Sequence, residues 1–87
     1  MRPTYNQAFG AVLRALRNEK KLTQDGLALH ADLDRSYISL LESGRRSPSL
    51  DTLMALCRAL RISLTELAAR LDAEFLRRER RAGHVGS

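Results

Sequence analysis

Residues 22–50, LTQDGLALHADLDRSYISLLESGRRSPSL, constrain this chain more tightly than any other stretch. Apolar residues recur there at helical spacing in two short runs, separated by a tight turn and followed by a Gly-Arg-Arg loop. Thr23 is placed to cap the first run, a helix over 24–31, and Asp25 suits the positive end of its dipole. Leu27, Ala28 and Ala31 form its buried stripe. Asp32 falls at the turn, where the backbone needs a left-handed residue that Asp tolerates. Leu33 plugs the turn into the core, and Asp34 is placed to cap a second helix over 35–43. On a 100° wheel Ile38, Leu41 and Glu42 of that helix point inward together. Ser36, Leu40 and Ser43 point away, with Ser39 and Tyr37 beside them and Arg35 on the flank. Gly44 suits the positive-φ position that ends such a helix.

Two short helices at a tight turn, the second leading into a basic loop, make a helix-turn-helix, which presents its second helix to the DNA major groove. The rest of the chain is also helical in pattern, with Gly and Pro falling between segments and no alternating strand run. Thr4 and Gln7 form a capping box for a first helix with Ala8, Phe9, Val12, Leu13 and Leu16 inward, fading over residues 18–21. Ser49 is placed to cap a helix over 50–60, with Leu50, Leu53, Leu56, Cys57 and Leu60 inward. Ser63 and Glu66 form a second capping box for a long last helix reaching about residue 80. Its residues Leu64, Leu67, Ala68, Leu71 and Phe75 fall in one 100° arc. The tail 82–87 is expected to fray. The expected fold class is all-α with five helices. Residues 1–69 form the compact domain and residues 70–87 a helical extension ending in a basic tail.

Composition narrows the function classes. Eighty-seven residues make one small domain with limited stability of its own, so help from a second copy is plausible. The net charge of +5 suggests an anionic partner. Residues 77–81, RRERR, supply +3 of that total, so charge supports nucleic-acid binding without establishing it. No run of eighteen apolar residues suggests a membrane span and the first residues carry no apolar signal segment. The single cysteine, Cys57, sits in an apolar helical pattern and is expected as a buried reduced thiol, in keeping with a cytoplasmic location. His30 and His84 lack the partners of a metal site. No nucleophile–base pair, metal set or phosphate loop is visible, so neither enzymatic activity nor a cofactor is expected.

The segments LRALR (13–17), LTQDGLA (22–28), YISLLESG (37–44), RRSPSLDTL (45–53) and ALRISLTEL (59–67) together resemble the XRE/Cro-type helix-turn-helix regulators. The run DRSYISLLESGRRSPSLDTL is most similar to the controller proteins of restriction–modification systems and to related small stand-alone regulators. The resemblance covers residues 8–69. It implies a lambda-repressor-like fold whose helix 35–43 lies in the major groove of double-stranded DNA. It also implies that Gln24, Ser39, Arg45, Arg46, Ser47 and Ser49 contact the DNA backbone, that Arg35 and Ser36 face base edges, and that Tyr37 lies nearby. The residue chemistry agrees. The Arg35 fork matches the O6 and N7 acceptors of guanine, Ser36 can donate or accept, and a thymine methyl would explain an apolar Leu40 on a wet face. Gln24 begins a helix, a natural phosphate site. Each has a plainer reading: a solvated arginine, an exposed or packed Leu40, a Tyr37 packed on the preceding helix.

Arg17 and Glu42 lie on otherwise apolar faces. The resemblance implies an ion pair tying the first helix to the third, and an inward charge needs a partner in any case. Asp32 replaces the usual turn glycine, and Gly26 inside a helix costs about 1 kcal/mol relative to Ala. Leu29 is expected to be exposed. Leu67, Leu71 and Phe75 are candidates for a homodimer contact, the alternative being that Leu71 and Phe75 fold back onto the first helix. A two-fold pair would set two reading heads roughly 34 Å apart on a palindromic operator. The expected function is sequence-specific transcriptional regulation, with RNA polymerase as a further candidate partner. The alternative is an antitoxin or interaction module whose main partner is another protein.

Overall fold

Each helix starts, and the first four stop, on local chemistry that can be named. The computed structural model describes residues 2–84, leaving aside the side chain of His84. It contains α1 (Tyr5–Glu19), α2 (Gln24–Ala31), α3 (Arg35–Glu42), α4 (Leu50–Leu60) and α5 (Leu64–His84), with no strand among the described residues. The Thr4–Gln7 capping box closes in both directions. Thr23 and Ser49 accept from the backbone N–H three residues on. Asp34 occupies the N-cap position of α3 but makes no side-chain cap. Its carbonyl accepts from both Tyr37 and Ile38, and its charge still favours the helix N-terminus from solvent. Ser63 accepts from the Glu66 N–H, but the return half of that box is not made. The Glu66 carboxylate lies 3.6 Å from Arg70 instead.

Four helices end in the same way. Lys21, Asp32, Gly44 and Arg61 adopt φ of 58°, 57°, 79° and 57°. After each, the next N–H bonds back five residues: Leu22 to Arg17, Leu33 to Ala28, Arg45 to Leu40 and Ile62 to Cys57, at 2.9–3.0 Å. This is the Schellman closure, and its usual hydrophobic partner is present at three of the four ends. Leu22, Leu33 and Ile62 turn back onto the core. The fourth end carries Arg45, which is exposed. Three turns therefore tuck the chain inward, and the turn after α3 releases a basic loop outward.

The core is built on Leu13, Leu16, Leu27, Ile38, Leu41, Leu56 and Leu60, all fully buried. α1 packs between α3 and α5, and α2 packs against α3 and α4. Several expectations are corrected. Leu50 has the right angle for the inward stripe of α4 but is 67% exposed, because it lies in the first turn beside the exposed Ser47–Ser49 loop. Ala68 is likewise exposed. α5 runs past residue 80 to His84, so 82–84 are helical, while 85–87 lie outside the described residues. Leu67 is part of the monomer core, and Leu71 packs against that core. The Phe75 ring stacks on Tyr5, with centroids 3.9 Å apart and planes 9° from parallel. Leu71 and Phe75 thus find partners within one chain, where each stays half-buried.

Candidate nucleic-acid interface

α3 has a locked side and an open side. Ile38, Leu41 and Glu42 are buried, whereas Arg35, Ser36 and Ser39 are exposed. Tyr37 and Leu40 are half-buried, and Tyr37 leans on the core. The Arg35 guanidinium lies 3.7 Å from Asp25, but both side chains are largely in water. A pair of that kind contributes little and leaves Arg35 free to turn outward.

The locked side depends on one carboxylate. Glu42 has a fully buried side chain, yet it accepts four hydrogen bonds. Arg17 grips it as a fork, Nε to Oε2 at 2.7 Å and Nη2 to Oε1 at 3.1 Å, and sends Nη1 to the Leu22 carbonyl at 2.9 Å. Gln24 adds a bond at 3.1 Å and Arg14 a longer one at 3.4 Å. Burial pushes the Glu42 carboxyl up, but the bonds from Arg17, Gln24 and Arg14 and the charge of Arg17 outweigh it and hold the group below the usual carboxylate range. The same contact raises Arg17 further above its already high value. No buried side-chain polar atom among the described residues lacks a partner. Elsewhere in the core, burial pushes the Cys57 thiol up, keeping it in its neutral form.

Glu42 therefore joins three elements: α1 through Arg14 and Arg17, the start of α2 through Gln24, and its own α3. Beside it, Gly10 lets α1 and α3 touch backbone to backbone. A Cβ at residue 10 would stand 2.5 Å from the Glu42 carbonyl oxygen and 2.6 Å from that of Leu41. Gly10 and Arg14 escaped the sequence reading. A glycine within an amphipathic helix was the signal for the first, and the Arg14–Arg17 spacing of i, i+3 was the signal for the second.

The expected backbone-contacting residues are unequally available. Ser39, Arg45 and Arg46 are exposed. Gln24 commits one amide hydrogen to Glu42, leaving the other and its backbone N–H for another acceptor. The Ser47 hydroxyl donates to Asn6 at 2.8 Å, and that of Ser49 donates to Thr52 and caps α4. Both hydroxyls are thus already engaged, because each is needed to shape the loop. Among the described residues no group of His, Cys, Asp or Glu could hold a metal ion, and no helix is long and apolar enough to cross a membrane.

A comparison of the chain with protein families matches the helix-turn-helix family over residues 13–67. The chain belongs to that family. It is 42% identical over 67 residues to control protein C.MunI of a Mycoplasma species, an alignment covering 76% of this chain and 90% of that one. Among solved structures it resembles the restriction-modification controller protein C.AhdI of Aeromonas hydrophila, with 44% identity and a TM-score of 0.70 over 71% of this chain and 94% of the other. It also resembles the clp gene regulator ClgR of Corynebacterium glutamicum, with 30% identity and a TM-score of 0.82 over 87% of this chain and 81% of that one. The five-helix, lambda-repressor-like architecture read from the sequence is the fold these neighbours share.

Proposed function

We propose that this chain is a sequence-specific DNA-binding transcriptional regulator, acting as a homodimer on a palindromic operator with α3 in the major groove. The observation that carries this reading is the two-sided character of α3. Its leading polar side chains stand in solvent, while its other side is fixed to the scaffold by Ile38, Leu41 and Glu42. An element so held presents side chains at a constant angle, which base readout requires.

In this reading Arg35 and Ser36 meet base edges, Leu40 offers its exposed part to a thymine methyl, and the Tyr37 hydroxyl faces the adjoining strand. Arg45 and Arg46, Ser39, the spare amide hydrogen of Gln24 and the backbone N–H groups around Ser47 and Ser49 set the register on phosphates. The pair of Arg17 and Glu42 fixes the angle of α3. With Leu67 inside the monomer, the exposed Leu50, Met54, Leu64 and Leu76 on α4 and α5, beside the half-buried Leu71 and Phe75, are the apolar side chains offered to a second copy. Two-fold pairing through α4 and α5 would space the reading heads about one DNA turn apart, roughly 34 Å. Occupancy in the cytoplasm would block or recruit RNA polymerase. The regulators and controller proteins among the relatives support this role.

The test is binding to a pool of random duplexes with a salt titration. A reader enriches a palindromic sequence, keeps its preference over competitor DNA, and loses affinity steeply as salt rises. Absence of any enriched sequence, together with tight co-purification of an unrelated small protein, would favour an interaction module instead.

A further inference from the structure

The basic end of α5, though exposed, lies beside the start of the chain. Arg77, Arg78 and Arg81 meet Arg2 and Gln7 around a shallow hollow of about 400 Å³, which no carboxylate lines among the described residues. Two of these arginines are held in place. Glu74 takes Arg77 Nη2 at 2.6 Å and Arg78 Nε at 2.7 Å. A single carboxylate fixing two guanidiniums leaves an excess positive charge, and neither terminal amino group of Arg78 is bonded among the described residues. Arginines near a helix C-terminus can serve only to complement its dipole. That explanation reaches Arg81 in the last turn of α5 but neither Arg77 and Arg78 nor the convergence of Arg2 and Gln7 from the other end of the chain.

The hollow adjoins a groove, also lined by Glu42, that reaches the C-terminal end of α3. Gln7 and Arg78 line both, and the groove extends to Arg14 and Ser43. The loop after α3 rests on the same first turn of α1. Gly44 lies against Gln7, and Ser47 donates to Asn6. A polyanion seated on Arg45 and Arg46 would run beside the first turn of α1, whose Gln7 also lines the arginine hollow.

We propose that the hollow formed by Arg2, Arg77, Arg78 and Arg81 is a second phosphate-binding site, occupied by the DNA backbone outside the half-site that α3 reads. This rests on the DNA-binding reading above and adds a contact that carries no sequence information. It enlarges the footprint and raises affinity without altering base preference.

The test compares two duplexes carrying the selected operator, one trimmed to the palindrome and one extended by about ten base pairs on each side. The variant is Arg2→Gln/Arg81→Gln, since both residues are exposed and neither makes an ion pair among the described residues. Wild type is expected to bind the extended duplex about 10-fold more tightly near 0.1 M salt, with the variant abolishing that advantage and matching wild type on the trimmed duplex. On the extended duplex, the slope of log affinity against log salt should fall by roughly two to four for a dimer. Arg81→Gln alone, in the exposed last turns of α5, should give a smaller shift in the same direction. Indifference of wild type to flank length, or equal weakening of the variant on both duplexes, overturns the proposal. Failure of wild type to prefer the operator in either duplex overturns the DNA reading itself, a distinct result.

Discussion

α1 makes two junctions, one with α3 and one with α5, and they are built from different chemistry. Toward α3 the contact is buried: a carboxylate taking three bonds from Arg14 and Arg17, two backbones meeting at Gly10, and the core side chains Leu13, Leu16, Ile38 and Leu41. Toward α5 the polar contact is at the surface. Arg70 grips Glu19 through bonds of 2.6 and 3.1 Å, and Phe75 stacks on a Tyr5 that is 61% exposed. A buried charge deprived of its partner is costly, whereas a pair in water is nearly neutral to lose. The α1–α3 junction therefore carries the buried polar contact, and it lies behind the α3 side chains proposed to read DNA. The polar contacts between α1 and α5 can adjust at little cost, while Leu67 and Leu71 hold the buried part of that junction.

Breaking the α1–α3 junction should have the largest effect. Glu42→Ala leaves Arg17 with only the Leu22 carbonyl, and unfolding followed by denaturant should show a loss of about 3–5 kcal/mol together with weakened DNA binding. Lost binding at unchanged stability would show that Glu42 does not act as the scaffold joint. Gly10→Ala forces a Cβ against backbone that cannot swing aside, and about 3 kcal/mol of destabilisation is expected in the same assay.

Acid should loosen the same junction. The native Glu42 carboxyl titrates below its unfolded counterpart. Its stabilisation is thus complete above the unfolded carboxylate range and is lost as pH falls through the native value. Glu19 and Glu74 are also held low, by hydrogen bonds from Arg70 and Arg77 respectively, but both contacts are at the surface. Thermal melts from about pH 7 down to about pH 3 should show a decline in Tm that is flatter in Glu42→Gln than in wild type. An unchanged acid limb in that variant would move the effect to the surface carboxylates.

The surface contacts between α1 and α5 should respond weakly. Phe75→Ala removes a half-buried ring and its stacking, with an expected loss of about 1–1.5 kcal/mol. Arg70→Ala should lose less than about 1 kcal/mol, and less still at high salt. A loss from Arg70→Ala as large as that from Glu42→Ala would erase the contrast between the two junctions.

What could be read in the sequence follows the same division. The caps at Thr4, Thr23 and Ser49, the left-handed Asp32 and Gly44, and the inward set of Ile38, Leu41 and Glu42 were legible because each depends on neighbours within one or two turns. Contacts between distant segments were less so. Gln24 looked like a free phosphate ligand until the fold brought it against a carboxylate eighteen residues away. Leu50 had the right helical angle, but only the packed structure shows that nothing covers that level of α4. Leu71 and Phe75 seemed unpartnered because the path of α5 along α1 is a tertiary fact. Lys21 and Arg61 in left-handed turns gave no signal, since neither residue type favours that conformation.

The central claim is that α3, held from behind at a fixed angle, reads bases through its first residues. Duplex selection with wild type and with Arg35→Ala tests it most directly. The account predicts that the variant loses preference at one symmetric pair of operator positions while keeping the rest, at about 1–3 kcal/mol for that position. Uniform weakening across all sequences, with the preference at every position intact, would contradict it.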